Sequence, residues 1–287
     1  MKFGLVLFSS DRGIAPAPAA RAAEQYGFDS FYVPEHTHIP VKREAVHPGT
    51  GTTELPDDRY ARTLDPWVSL GAASAVTERI RLGTAVAIPV EHDPITLAKT
   101  LATLDHLTGG RVNFGVGFGW NIDELADHGV PPKRRRTMLH EYLSAIQALW
   151  SQEQAEFSGQ FVNFGPSWAW PKQVQQPRIP ISLGAAGTDK NFAWIVDHAD
   201  GWITTPRERD IDDRVTRLRT MWRDAERVGE PAIAVLDVRP DHEKLARWND
   251  IGVTEVIYGM PDKSEADVVA YIERLAGKLK QSAALRQ

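Results

Sequence analysis

The segment from Ile80 to Glu124, IRLGTAVAIPVEHDPITLAKTLATLDHLTGGRVNFGVGFGWNIDE, restricts the fold more than any other part of the chain. Two runs with the length and β-branched content of buried strands, Arg81–Ile88 and Arg111–Gly117, flank Pro94–Leu107, whose apolar residues Ile95, Leu97, Ala98, Leu101, Leu104 and Leu107 recur at helical spacing. Strand, helix, strand in this order is a βαβ unit. Its strands are parallel and its crossover right-handed, so both strands end on one edge of the sheet. Pro89–Asp93 and Phe118–Asn121 then lie side by side, and a functional site is expected there.

The same alternation runs through the rest of the chain. Phe3–Phe8 reads as a first strand, and Ala15–Tyr26, Ala-rich and stopped by Gly27, as a first helix. Phe28–Val33 is a second strand ending at Pro34-Glu35-His36-Thr37-His38, and Pro66 after Asp65 opens a helix to about Val76. Beyond the central unit, Pro132–Trp150 is amphipathic, with Met138, Leu139, Tyr142, Leu143, Ile146 and Leu149 on one face. Ile179–Leu183, Gly201–Thr205, Ala232–Val238 and Glu255–Tyr258 follow as strands, each trailed by a helix: Asn191–His198, Asp210–Val228, His242–Ile251 and Ser264–Lys280. Eight strands alternating with eight helices predict an α/β fold, a (β/α)8 TIM barrel, and no linker divides residues 1–287 into separate domains. An open doubly wound sheet would use about six strands and leave two without a place. Two insertions interrupt the pattern, 34–65 after strand 2 and 151–179 before strand 5. Connections this long usually serve a site, so both are expected to shape the substrate pocket, with Trp67, Trp168 and Trp170 as its walls.

Composition narrows the partners. A net charge of −5 and the lack of a basic run interleaved with aromatics speak against nucleic acid and anionic membrane. Without cysteine, the chain has no disulfides and no thiol nucleophile. The apolar N-terminus is too short for a signal-peptide core, and no run approaches the ~18 apolar residues of a membrane span, so a cytoplasmic protein is expected.

Barrel enzymes place their chemistry at the C-terminal ends of the strands, where three groups of residues stand out. Gly115-Val116-Gly117-Phe118-Gly119-Trp120-Asn121 has glycine at alternate positions, which leaves one face of a strand bare. Either the barrel interior is crowded there or a flat ligand ring approaches the backbone. Gly184-Ala185-Ala186-Gly187-Thr188, between a strand and a helix, can turn successive backbone N–H groups toward a phosphate, although an unliganded tight turn would look the same. Glu35-His36-Thr37-His38 puts His36 at the rim, with a pKa range suited to moving a proton near neutrality. The H-x-H spacing also admits a metal, but later strand ends offer no further His, and none is expected.

These stretches resemble the bacterial luciferase-like superfamily, in particular its actinobacterial branch of coenzyme F420-dependent oxidoreductases. Val33-Pro-Glu-His36, Leu82-Gly-Thr84 to Pro89, Asp93–Lys99, Ala102–Asp105, Leu107-Thr-Gly-Gly-Arg111, Gly115–Asn121, Pro171–Pro177 and Ala199-Asp-Gly-Trp202 carry the resemblance, in the family's order. It implies a deazaflavin or flavin ring in the barrel mouth, against the end of strand 3, over a non-prolyl cis peptide near Ala85-Val86. Glu35 and Ile88 would border that site, and Gly117, Gly119, Trp120 and Asn121 would flank the ring and its ribityl chain. The phosphate would sit on Gly184 to Thr188, and His36 takes the position of the active-site histidine. Two departures bear on substrate choice. Sugar-phosphate dehydrogenases of the family carry Glu where Trp120 stands, and the common Arg-Asn-Pro is His92-Asp93-Pro94 here.

The resulting expectation is an enzyme that transfers a hydride between F420 and a small organic substrate, with His36 handling the proton. A homodimer is implied by the family alone. An FMN-dependent monooxygenase is the nearest alternative. A metal-dependent barrel hydrolase and a non-catalytic flavin-binding protein are the others. A basic lip would favour the acidic tail of F420, and Lys133–Arg136 and Arg43 are its candidates.

Overall fold

The computed structural model describes residues 1–205, 208–237 and 239–284, with side chains as far as Lys280. The first half of the barrel is built from β1 (Lys2–Leu7), α1 (Pro16–Gln25), β2 (Ser30–Val33), α2 (Pro66–Ser74), β3 (Arg81–Thr84), α3 (Pro94–Thr108) and β4 (Val112–Val116). A short helix α4 (Ile122–Asp127), the long α5 (Arg135–Ser151) and a hairpin β5 (Ala155–Ser158) and β6 (Asn163–Ser167) follow. The second half is β7 (Ile181–Gly184), α6 (Asp189–His198), β8 (Gly201–Ile203), α7 (Ile211–Asp224), β9 (Ala232–Asp237), α8 (His242–Ile251), β10 (Glu255–Met260) and α9 (Glu265–Ala284). Eight parallel strands close in the order β1-β10-β9-β8-β7-β4-β3-β2, the barrel that the alternation predicts. Val238, the expected end of the seventh barrel strand, lies outside the described residues.

Local chemistry sets the helix starts. Asp65, Asp93, Asn121, Thr188 and Asp241 each accept a hydrogen bond from a backbone N–H in the first turn of the helix that follows. Each such cap contributes about 1 kcal/mol. Alternate residues of every strand face opposite ways. Leu5, Leu7, Phe31, Leu82, Phe114 and Trp202 are buried in the larger cluster under the helices, while Tyr32, Ile203, Ala234 and Ile257 form a separate cluster inside the barrel. Val6, Ala85, Val86 and Leu236 cover that inner cluster and are only partly buried, so the mouth is open above them.

Three expectations need correction. The run read as one strand to Ile88 leaves the ladder after Thr84; the Ala85–Val86 peptide is cis, and Ala87 rejoins only as a single bridge to Val116. The helix read from Pro132 starts at Arg135, and α4 was hidden because six residues are too few to display a period. The 151–179 segment runs along the outer wall of α3 and α5 rather than lining the mouth. Its hairpin tip packs back on the N-terminal half of α5, where Glu141 accepts the N–H groups of Gln160 and Val162 (3.0 and 2.7 Å) and Arg134 lies over the Phe161 ring at 4.8 Å, and Lys99 donates to the Trp170 carbonyl. The segment leaves the C-terminus of α5, at the opposite end of the barrel, where Lys172 donates to the carbonyls of Leu149 (2.7 Å) and Gln152 (2.6 Å). Gln175 reaches the Val112 carbonyl at the start of β4 (2.8 Å), and the N–H groups of Val174 and Gln175 bind Asp105 near the end of α3 (2.7 and 3.0 Å). Trp168 and Trp170 stand on this segment, 72% and 58% exposed, and wall no pocket at the mouth. An αβ connection can begin only at the far end, so strand and helix polarity overrides composition here.

Candidate active site at the barrel mouth

His36 follows β2 and is 8% exposed. Its Nδ1 lies 2.8 Å from Glu124 Oε2, and its Nε2 accepts the Trp120 indole N–H at 3.3 Å. Glu124 projects from α4, is fully buried, and also accepts the Thr37 N–H (2.8 Å) and the Asn121 side-chain amide (3.3 Å). A carboxylate on Nδ1 keeps the proton on that nitrogen and leaves the Nε2 lone pair as the acceptor. Asn121 caps α4 and so fixes Glu124; at 1% exposure it works behind the site and does not face a ligand. His38 points elsewhere, with Nε2 3.0 Å from Asp127, and among the described residues no three His, Asp or Glu side chains gather as a metal-binding group.

Glu35 and Ile88 also turn inward, against the expectation that they border a ligand. The Glu35 carboxylate accepts the Ile88 N–H at 2.6 Å and pairs with His92 Nε2 at 2.7 Å, tying the end of β2 to the chain beyond the cis bulge. Burial opposes charge on His92, but the Glu35 hydrogen bond and attraction outweigh it and its pKa is raised. The histidine in place of the family's arginine thus still pairs with a carboxylate. Glu91, one residue earlier, is buried with neither carboxyl oxygen hydrogen-bonded to a described residue. Burial, with the neighbouring charges of Glu124 and Glu35, pushes its pKa up to about 9.

The alternate glycines serve crowding within the barrel. A Cβ on Gly115 would sit 1.9 Å from the Thr84 carbonyl, and one on Gly117 or Gly184 would sit 2.7 or 2.4 Å from the methyl groups of Val86. They therefore seat the bulge, and the half-buried Ala85 and Val86 are what the mouth presents. Gly119, at φ 73°, turns the chain so that Trp120 folds back over His36. Trp67 packs on Phe114 and His92 in the layer between barrel and helices, with ring centroids at 6.0 and 6.2 Å. The 34–65 segment supplies a wall that sequence reading did not identify residue by residue. Tyr60 lies against His36, His47 and Phe8, and His47 against Trp120, with ring centroids between 4.7 and 5.4 Å.

At the turn after β7, the Gly187 N–H donates to Glu208 Oε2 at 3.0 Å, and the Thr205 hydroxyl approaches the same oxygen at 3.3 Å. Thr188 caps α6, and the Ala185 N–H is taken by the Ile203 carbonyl. Gly184 and Ala185 are half-buried and Ala186 is exposed. The Arg214 side chain lies along Gly187, and its buried Nε has no hydrogen-bond partner among the described residues. Arg136 stands beside this turn, donating to Asn191 Oδ1 (2.8 Å) and stacking on Phe118 at 4.0 Å. Arg43 is committed instead to the carbonyls of Pro40 and Thr53 within its own loop. A groove of about 570 Å³ on the outer wall, lined by His140, His198, Arg178 and Arg227, is remote from these groups, and its arginines are tied to Asp200 and to backbone carbonyls.

Glu124, Tyr60, Glu91 and Arg214 escaped the sequence reading. Only Glu124 had a usable signal, since Asn121-x-x-Glu124 has the spacing of a helix-start capping pair.

The family model for luciferase-like monooxygenases matches residues 15–246. The uncharacterized protein Rv0953c of Mycobacterium tuberculosis is 70% identical over 279 residues, 97% of this chain and 99% of its own. An F420-dependent glucose-6-phosphate dehydrogenase of Beutenbergia cavernae is 30% identical over 274 residues, 90% of this chain and 74% of its own. Among solved structures, an F420-dependent secondary alcohol dehydrogenase in complex with an F420-acetone adduct superposes with a TM-score of 0.72 at 18% identity, covering 96% of this chain and 97% of that one. With a family model that matches most of its length and relatives along almost all of it, the chain belongs to the luciferase-like monooxygenase family.

Proposed function

We propose that this enzyme transfers a hydride between coenzyme F420 and a small organic substrate, with His36 giving or taking the accompanying proton at Nε2. The observation that carries the reading is the buried His36–Glu124 pair opening onto the same mouth as the half-buried Ala85–Val86 bulge. The residues present fit a phosphate-bearing ring cofactor. Arg214, whose side chain lies against Gly187, has a buried Nε without a hydrogen-bond partner among the described residues, and the turn there already receives an anionic oxygen, that of Glu208. Gly184 to Thr188 with Arg214 would hold the phosphate, Ala85 and Val86 would support the ring, and Arg136 stands where an acidic tail would leave the turn. A bound deazaflavin would supply the hydride acceptor or donor. The chain's own residues orient the substrate oxygen at His36, hold its proton there and exclude water with the aromatic wall. Two F420-dependent enzymes among the relatives and neighbours support the choice of cofactor.

The second reading, an FMN-dependent monooxygenase, rests on the same phosphate turn, which suits either cofactor. Titration with F420 and with FMN at two salt concentrations, followed by ring fluorescence, separates them. The expected result is F420 binding that weakens with salt and falls on Arg136→Ala, with little FMN binding. Preference for FMN would move the chemistry to the monooxygenase class.

A further inference from the structure

We propose that the site takes an uncharged, largely apolar alcohol or carbonyl compound and not a phosphorylated or carboxylate-bearing one, with Tyr60 and Trp120 as the selecting residues. The inference rests on the redox reading for the reaction, but the ligand class follows from the wall around His36. That wall is aromatic: Phe8 and Tyr60 are 4.7 Å apart, Tyr60 and His36 5.4 Å, and Trp120 and His36 5.6 Å, measured between ring centroids. Such faces receive apolar carbon and offer nothing to a localised negative charge.

The cations nearby are already matched. Arg59 holds Asp57 through two bonds of 2.9 and 2.7 Å while lying over the Phe8 ring. Arg12 pairs with Asp58 at 2.7 Å, and Arg62 with Asp11 at 2.8 Å. Behind His36 lie two buried carboxylates, Glu35 and Glu124, and beside them a third acid, Glu91, that burial keeps protonated. An anionic substrate would meet a field of its own sign and leave water without a counter-charge, which costs several kcal/mol. A hydroxyl or carbonyl oxygen is suited to what remains. The Trp120 N–H reaches His36 Nε2 at 3.3 Å, longer than a good hydrogen bond, so a substrate hydroxyl can take the Nε2 lone pair while the indole N–H turns to the substrate oxygen.

The test uses one ring with five head groups: cyclohexanol, cyclohexanone, cyclohexanecarboxylate, cyclohexyl phosphate and cyclohexylamine. Their binding to the cofactor-free protein is measured by calorimetry, and turnover of the alcohol and ketone is then measured with F420. The alcohol and ketone are expected to bind at least about tenfold tighter than the three charged members, and Trp120→Ala or Tyr60→Ala to remove that preference. Trp120→Phe, which keeps the wall and deletes the N–H, should retain ring binding and lose the advantage of the alcohol over unsubstituted cyclohexane. With the turn at Gly187 filled by saturating inorganic phosphate, tighter binding of the phosphate, the carboxylate or the amine, or no discrimination at all, would overturn the proposal. Neutral binding without F420 turnover would instead sink the redox reading and leave the ligand class standing.

Discussion

Glu124 is worth testing first because it acts on His36 without facing the mouth. Glu124→Gln keeps the shape and can still accept the Thr37 N–H, but its amide can donate to His36 Nδ1 and so move the imidazole proton to Nε2. The lone pair that serves the substrate is then lost. Turnover should fall by about 10²-fold or more, in the range of general acid–base contributions, while cofactor affinity stays within about twofold. Unchanged turnover would remove Glu124 from the mechanism. Glu91 makes a different prediction, about stability. Its folded-state pKa of about 9 lies above the ordinary 4.5, so below pH 4.5 folded and unfolded chains both hold the proton, and between 4.5 and 9 only the folded chain does. Stability should therefore fall with rising pH across that window, at up to about 1.4 kcal/mol per pH unit. Glu91→Gln, which mimics the protonated acid, should match the parent near pH 4 and be more stable at pH 8, as urea melts at the two pH values would reveal. Parallel melting curves at both pH values would mean that Glu91 is ionised in the folded chain. His36 was legible because it follows a strand end. Its buried acids were not, since partnership between residues 88 positions apart leaves no local pattern.

Elements meet at the bulge, where β4 and β7 give up side chains so that Val86 can lie between them. Gly184→Ala places a methyl group 2.4 Å from Val86 Cγ1, and Gly117→Ala one at 2.7 Å from Cγ2. Overpacking of this kind costs about 1–3 kcal/mol and would push the bulge toward the mouth. Val86→Ala removes the obstructing methyls, so Gly184→Ala combined with Val86→Ala should recover most of the stability and cofactor affinity that Gly184→Ala loses. The double-mutant coupling should be about 1–2 kcal/mol, and strict additivity would show that the two groups do not press on each other. Most elements were legible because caps are local: Asp65 before Pro66, Asp93 before Pro94 and the left-handed Gly109 mark their boundaries within a few residues. The end of β3 was not legible. Residues 81 to 88 have strand composition throughout, and only the closed barrel shows where they leave the ladder.

Over the whole molecule, chemistry and stability separate to opposite ends of the barrel. The far end carries a polar chain that starts inside it, where Glu255 accepts from Ser30 and Tyr32 and the Tyr32 hydroxyl accepts from Asn113. Arg81 joins Asn113 to Gln175, whose amide reaches Asp105 at 2.7 Å and the Val112 carbonyl at 2.8 Å. Burial raises the pKa of Glu255 and, with the Glu255 charge, that of Tyr32. The 151–179 segment is locked to the barrel through this chain, which its Pro- and Trp-rich composition could not reveal, because aromatic-rich loops look alike at either end. Gln175→Ala should therefore cost about 1–3 kcal/mol by stranding buried partners, and leave KM unchanged. Replacing Trp168 and Trp170 together by Ser should change neither stability by more than about 1 kcal/mol nor the affinity for cofactor or substrate, because both rings are largely in solvent. Affinity measured beside thermal melts checks both variants. A raised KM in the Trp variant would mean that this surface reaches the mouth of a neighbouring copy. In that event the two ends of the barrel would be coupled through assembly, since within one chain α5 and β4 anchor the stretch from Lys172 to Gln175 at the far end.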